Sequence, residues 1–357
     1  MPGHEYSFTK VFWKKLRRNK GAVFGLIVIV LSIATALFAY VLAPDATPDA
    51  NRIIVEIAAK KPGYKQQFFK LQRDNSTASG NYFSGKEDVY QYIPITAYKM
   101  FNDSIELDKY VDEGIIEKIQ FPLHGRNSQE AVETQTFWLG TDKFGRDILS
   151  RLIVGVRVSL SVGLIAVVIS LTVGIFLGAV AGYFRGWIDE AILWLINVVW
   201  SIPTLLLVFA ITLALGKGFW QVFIAVGLTL WVNVARLVRG QILSIRELNY
   251  IEATKAMGFS HSRTIFKHIL PNIMGPVIVI AASNFASAIV IEAGLSFLGV
   301  GVQAPQPSWG LMIKENYNFI ITNNPMLAIA PGIAIMLLVL AFNLLGNGLR
   351  DVLDVRS

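Results

Sequence analysis

Six windows without a single Asp, Glu, Lys or Arg, each about as long as a membrane crossing, constrain this chain more than any other feature. A spanning helix needs about 20 mostly apolar residues to cross about 30 Å of hydrocarbon. Gly21–Ala43 supplies 23 residues, Val158–Phe184 27, Ala191–Gly216 26, Gly218–Ala235 18 and Ile269–Ile291 23. The sixth crossing fits between Pro325 and Gly346, inside a charge-free stretch from Asn316 to Leu349. Pro271 and Pro276 predict that the membrane part of the fifth begins near Gly275.

Composition points the same way. Only 16% of the 357 residues are charged, against about 25% in soluble proteins, and the mean hydropathy is +0.51. The prediction is an all-α polytopic membrane protein of six transmembrane helices, interrupted by a small extracytoplasmic insertion of α+β or mostly-β type. The first window exceeds the apolar core of a secretory signal and five more follow it, so it reads as a retained anchor.

Six crossings put both termini on one side, and the positive-inside rule says which. With both termini cytoplasmic, the short inner segments hold 15 Lys and Arg, while the two short outer loops hold only Lys217 and Lys314. That asymmetry accounts for the net charge of +7 through membrane lipid and topology, with no need for nucleic acid. Cysteine is absent, which removes disulfides, thiolate metal sites and cysteine nucleophiles. The four histidines, His4, His124, His261 and His268, show no HExxH spacing.

The chain therefore divides into an amphipathic cytoplasmic helix over 1–20, a first crossing over 21–43 and an outer insertion over 44–147. A five-helix core over 148–349 contains a cytoplasmic loop at 236–271, and a short tail covers 350–357. Phe8, Val11, Phe12 and Leu16 recur at helical spacing among Lys10, Lys14, Lys15, Arg17 and Arg18, as in a helix lying on a membrane surface. In the insertion, Asp88 to Tyr98 alternates like a strand, the mostly apolar run Ile53 to Ile57 also suggests one, and Asn75 to Gly80 reads as loop. Gly80, Gly85 and Lys86 mimic a phosphate-loop spacing. Glu87 stands where that loop needs Ser or Thr and no apolar strand leads in, so the match is coincidence. The Asn-x-Ser/Thr triplets at Asn75 and Asn102 are read as chance.

The most informative segment joins the fourth and fifth crossings. RELNYIEATKAMGFSHSRTIFKHILPN, from Arg246 to Asn272, begins with good helix formers that stop at Gly258, a residue suited to a left-handed cap. Ser260 can cap a second helix running towards Pro271. A helix, a glycine turn and a helix superficially suit a DNA reader, but this unit is tethered to the membrane at both ends and suits docking into a soluble partner's groove.

Here the chain resembles a known family. Glu252-Ala253, Gly258 and Leu270-Pro271 match the EAA signature of permease subunits of bacterial ABC importers, although Thr254 replaces the third-position Ala, and His268 stands where the pattern has Ile, with Ile269 following. LGTDKFGRD at Leu139–Asp147 with the ILSRLIVGVRVSL after it, SIPTLLL at Ser201–Leu207, LSFLGVG at Leu295–Gly301 and PSWG at Pro307–Gly310 are similar to the C-type subunit of the dipeptide, oligopeptide and nickel permeases. The likeness is close over 137–354 and loose over 1–43. It implies a type I importer permease in the bacterial inner membrane, translocating peptides or nickel chelates. It also implies a homologous second permease, two ATPase subunits that bind the ATP, and an external substrate-binding protein; no cofactor, metal or catalytic residue is expected on this chain. Glu252, Ala253, Thr254, Gly258, Ser260, Leu270 and Pro271 would form the coupling loop seated in the ATPase.

Within the spans, Glu292 is costly, because a charge at mid-membrane costs about 2.5 to 3.5 kcal/mol on insertion scales. Asn284, Ala288, Glu292 and Ser296 share one broad helix face that can line a pathway or bond to a neighbouring helix. Pro203 can kink the third crossing, Asn197, Asn233 and Asn343 are further polar candidates, and Gly163, Gly174 and Gly178 suit close helix contact. An ion-gradient transporter would show buried ionisable pairs, and Glu292 has no evident one; an intramembrane enzyme would need a catalytic constellation, and none is present in the sequence pattern.

Overall fold

A computed structural model describes residues 8–73, 80–101, 104–122, 131–216, 218–321 and 324–353. His4, Asn75, Asn102, His124 and Lys217 lie outside the described residues, as do the side chains of Phe8 and Val11. Ten helices carry the described chain between its short turns: α1 Phe8–Arg18, α2 Lys20–Leu37, α3 Ile148–Phe184, α4 Gly186–Ser201, α5 Thr204–Leu215, α6 Phe219–Ile245, α7 Asn249–Ala256, α8 His261–Leu298, α9 Trp309–Asn316 and α10 Met326–Leu353. Five of them (α2, α3, α6, α8 and α10) are long and apolar enough to cross a membrane, and the bent pair α4 and α5 makes a sixth if it counts as one span.

Three boundaries differ from the sequence expectation, each for a physical reason. Ala191–Gly216 is not one straight helix: α4 and α5 meet at 95°. Pro203 supplies no N–H and pushes Ile202 into an extended conformation (φ −97°, ψ 129°), which ends α4. The fourth helix runs on past Ala235 to Ile245, because the charges that follow are satisfied on its surface; Arg239 holds Asp189 through two hydrogen bonds of 2.5 and 2.7 Å. The loop's second helix and the fifth crossing are one continuous helix from His261 to Leu298. A π-helical turn over Thr264–Ile269 widens the hydrogen-bond ladder just before Pro271, so the ring is accommodated without breaking the helix.

The chain divides into two compact units. One comprises residues 1–33, 159–303 and 334–357. Its interior is a cluster of Val234, Val238, Ile242, Ile251, Ile265, Ile269, Ile273 and Val277, all buried. Close approach between α3 and α6 depends on glycine: a Cβ at Gly174 would lie 2.5 Å from Val234 Cβ, and one at Gly178 would lie 2.5 Å from the Ala235 carbonyl oxygen. Small residues one turn apart are the usual means by which membrane helices pack backbone to backbone.

The other unit comprises residues 34–158 and 304–333. It contains an antiparallel sheet of β1 Tyr64–Gln72, β4 Tyr90–Met100, β5 Ser104–Asp112, β6 Ile115–Pro122 and β7 Val132–Phe137, in the order β6-β5-β4-β1-β7. Strand alternation sends Phe69, Ile93, Ile95, Ile105 and Leu107 to one face and Phe68, Tyr92, Tyr110 and Phe137 to the other. Ile54 and Ile57 cover the second face. That requirement explains why Ile53–Ile57 is not a strand: two side chains three residues apart reach the same side only in a helical turn, and Val55–Ile57 is a 3-10 turn. Gly80 and Lys86 pair across a small hairpin, β2 Gly80–Asn81 and β3 Gly85–Lys86, whose turn is held by Asn81 Oδ1 accepting from the backbone of Phe83 (2.9 Å) and Ser84 (2.8 Å).

Residues 304–333 join this unit although the sequence assigns them to the helical core. Arg146 is the reason. Its Nε donates to Asp142 (2.6 Å), and its two terminal nitrogens donate to Glu315 (2.7 Å) and to Asn51 (3.2 Å). Trp309 adds an indole hydrogen bond of 3.0 Å to the Leu152 carbonyl and lies against Gly155. Beside this network, burial raises the Asp147 carboxyl above its ordinary range, opposed by hydrogen bonds from the Ser150 hydroxyl and N–H.

Candidate functional site

The site the sequence points to is built on the link from α6 to α8. Leu248 precedes α7 in an extended conformation, and the helix lays Ile251 and Thr254 inward while Glu252, Ala253, Lys255, Ala256 and Met257 stay exposed. Ile251 is fully buried in the same cluster as Ile242, Ile265 and Ile269, so the short helix is anchored by one apolar side to the ends of its two long neighbours. Thr254, the departure from the family pattern, is also buried. Its hydroxyl lies 2.7 Å from the Ile251 carbonyl and 3.3 Å from the Thr264 hydroxyl. The extra oxygen thus finds partners where a buried polar atom needs them.

Gly258 takes φ +73°, the left-handed conformation that ends α7. Its N–H donates to Lys255 (3.0 Å) while the Phe259 N–H donates to Thr254 (3.0 Å), the paired bonds of a Schellman cap. Ser260 then accepts from the Arg263 N–H at 3.4 Å and starts α8. Replacing Ser260 by alanine should remove about 1 kcal/mol from this junction, seen as faster amide exchange over Ser262–Ile265 with the rest of α8 unchanged. Around the turn, Arg263 stacks on Phe259 at 4.1 Å, and Phe259 stacks on His268 at 5.7 Å. His261 Nδ1 lies 2.9 Å from the Tyr183 hydroxyl. His268, which stands where the pattern has Ile, is therefore a packing group.

The outward surface of this bracket is apolar as well as charged. Met257 and Phe266 are 63% and 67% exposed, and Tyr250 and Leu248 are also exposed. Leu270 is half-buried and Pro271 exposed at the far end. An amphipathic helix held rigidly from behind and bare in front can seat in another protein's groove.

The second set of residues lies inside the helical unit. Asn284 is buried on α8, and its Nδ2 donates to Ser170 Oγ on α3 and to the Leu230 carbonyl on α6, both at 3.3 Å. Glu292 is 1% exposed, and its Oε1 accepts from Ser296 Oγ at 2.6 Å. The same hydroxyl accepts from the Val302 N–H at 3.0 Å, so Ser296 ties Glu292 to the chain that leaves α8. Pro203 stands apart from these three, exposed at the break between α4 and α5.

Two comparisons with known proteins bear on these features. Residues 174–357 match the profile of the family described as binding-protein-dependent transport system inner membrane component, and residues 7–60 match that of the N-terminal TM domain of oligopeptide transport permease C. The chain belongs to the first of these families, and its role is that of a transport component of the membrane. It is 45% identical to the dipeptide transport system permease protein of Alkalihalophilus pseudofirmus over 217 residues, 61% of this chain and 71% of that one. Identity to the glutathione transport system permease protein of Pectobacterium atrosepticum is 42% over 61% of this chain and 72% of the relative. For the oligopeptide transport system permease protein of Bacillus subtilis the figures are 40%, 61% and 71%.

Proposed function

We propose that the chain is one of two permease subunits of an ATP-driven importer that carries peptides across a bacterial inner membrane. Supporting the peptide class are its relatives, which are named for dipeptide, oligopeptide and glutathione transport. The observation that carries the mechanism is α7 itself, a short helix with a buried back, an exposed front and a Schellman cap at its C-terminal end. In this reading α7 is the contact for a separate ATPase. Closure of two such ATPases on ATP displaces α7, and because Ile251 is packed among Ile242, Ile265 and Ile269, the displacement passes directly to α6 and α8.

The remaining arrangement follows from the charge distribution. Both termini and α7 lie in the cytoplasm, α4 and α5 together make one of six crossings, and the sheet lies outside the cell, where a substrate-binding protein delivers its ligand. With Leu16 buried and Lys14, Lys15, Arg17 and Arg18 exposed, α1 rests on the inner leaflet. Asn284, Glu292 and Ser296 are interface groups that fasten α8 to its surroundings, whereas Pro203 opens the helix break described below.

Two outcomes test this reading. Glu252→Lys and Gly258→Asp should each weaken co-purification of the ATPases severalfold while leaving membrane insertion intact; full ATPase binding by both variants would sink the coupling role. Glu292→Gln preserves shape and one acceptor oxygen, so assembly and peptide uptake should stay within about twofold of the native complex. Uptake driven by the purified subunit alone on an ion gradient would overturn the proposal as a whole.

A further inference from the structure

The break between α4 and α5 lies beside a polar cluster that none of the roles above uses. Arg236 on α6 lies over the ring of Trp200 on α4, 3.5 Å from its centroid. Its guanidinium donates to Asn197 Oδ1 at 3.4 Å, and Trp200 Nε1 donates to Asn233 Oδ1 at 3.3 Å. Asn197 and Trp200 are three residues apart on one helix, as are Asn233 and Arg236 on the other, so each pair shares a face. Unlike Arg239 one turn further on, which is held by Asp189, Arg236 has no carboxylate within 4.0 Å among the described residues.

We propose that this cluster, together with the exposed backbone of Ser201–Pro203, is a substrate subsite that binds a carboxylate group. Three physical arguments converge on it. Each asparagine oxygen already accepts one hydrogen bond, which leaves two amide NH2 groups and a guanidinium as the donors the cluster offers a ligand. A planar anion is the ligand that such a set matches, and Arg is the side chain whose fork fits a carboxylate. Next, Asn197 and Asn233 fall within the charge-free crossings, where polar side chains turned towards lipid are costly, so the face belongs to protein or to water. Last, irregular backbone is tolerated within a membrane only where protein covers it or a watery path runs past it, and a break here leaves backbone groups beside the cluster for a polar ligand. The indole of Trp200, next to the break in sequence, holds the guanidinium by a cation–π contact.

The subsite rests on the peptide reading, since the carboxylate it takes is the C-terminal group of the cargo. The complete transporter, with its second permease, ATPases and binding protein, is reconstituted in liposomes and supplied with radiolabelled oligoalanine. Photoreactive p-benzoylphenylalanine replaces Thr204, an exposed residue at the break. Illumination during turnover should place the label on this chain, and Arg236→Gln should abolish that labelling. Arg236→Gln should also lower uptake about tenfold, as loss of a charge-assisted hydrogen bond allows, while ATP hydrolysis stimulated by the binding protein continues. A merely structural arginine would lose both activities together. Arg236→Lys, which keeps the charge without the fork, should raise KM for oligoalanine and spare kcat; this measurement decides the matter if the Gln variant does not assemble. Native uptake combined with cross-links only to lipid or to the second permease, or with unchanged uptake in Arg236→Gln, overturns the subsite and leaves the peptide reading standing. A native complex that takes up no oligoalanine overturns both.

Discussion

Gly178→Val should leave the cell with almost no folded chain in its membrane. A Cβ at this position would lie 2.5 Å from the Ala235 carbonyl oxygen and 2.9 Å from Val238 Cβ, and neither backbone nor a β-carbon can rotate away. The two further methyl groups of valine would force α3 and α6 apart along their whole contact. Overpacking a core ordinarily costs about 1 to 3 kcal/mol; here the cost is larger, because separating the helices also forfeits the packing of Val234, Val238 and Ile242 against α3. Gly240→Ala is the matched control. Nothing lies within 4 Å of a Cβ there, so this variant should be as stable as the native chain or gain about 0.5 to 1 kcal/mol from helix propensity. Monodisperse yield from membranes and thermal unfolding in detergent distinguish the two. Equal behaviour of both variants would contradict the glycine contact.

The second large effect is expected at Arg146. Arg146→Ala removes in one step the hydrogen-bond donors to Asp142, Glu315 and Asn51, leaving Glu315 only the 3.8 Å contact of Arg151. Two carboxylates are then left behind in a site where Asp142 is 1% and Glu315 12% exposed. Breaking a buried ion pair from one side costs about 3 to 5 kcal/mol, mostly as the penalty of the abandoned charges. Arg146→Lys should recover less than half of the loss, since one ammonium cannot serve three acceptors in as many directions. Limited proteolysis of the assembled complex should show early cleavage near residues 304–321 in Arg146→Ala, with the helical unit still resistant. Simultaneous loss of both units would mean that the network holds more than its own neighbourhood.

Those two positions also mark the limit of what the sequence discloses. The crossings were legible because hydrocarbon tolerates few charges, and the α6–α8 link because Gly258 and Ser260 are local signals whose partners lie within five residues. Gly174 and Gly178 were legible as small residues four apart, without the identity of the helix they meet. By contrast, Arg146 and Glu315 are 169 positions apart and no periodicity connects them. The end of α6 was misjudged for a related reason: Arg236 and Arg239 read as the start of a polar loop, and only the structure supplies Trp200 and Asp189 to hold them on a continuing helix. Ile53–Ile57 failed differently, because a mostly apolar run of five, with Glu56 among them, is compatible with strand or turn until the face it must cover is known. Pro203 was correctly suspected of bending its helix, while the size of the bend depends on contacts the sequence does not show.

The sheet's first and last strands, β1 and β7, are neighbours, with Tyr64 opposite Phe137 and the Gly63 N–H donating to the Phe137 carbonyl at 2.9 Å. The polypeptide consequently departs and comes home at one doorstep. A tight reversal at that spot would close the chain equally well, so everything in between can be enlarged, trimmed or exchanged while the joint itself stays the same.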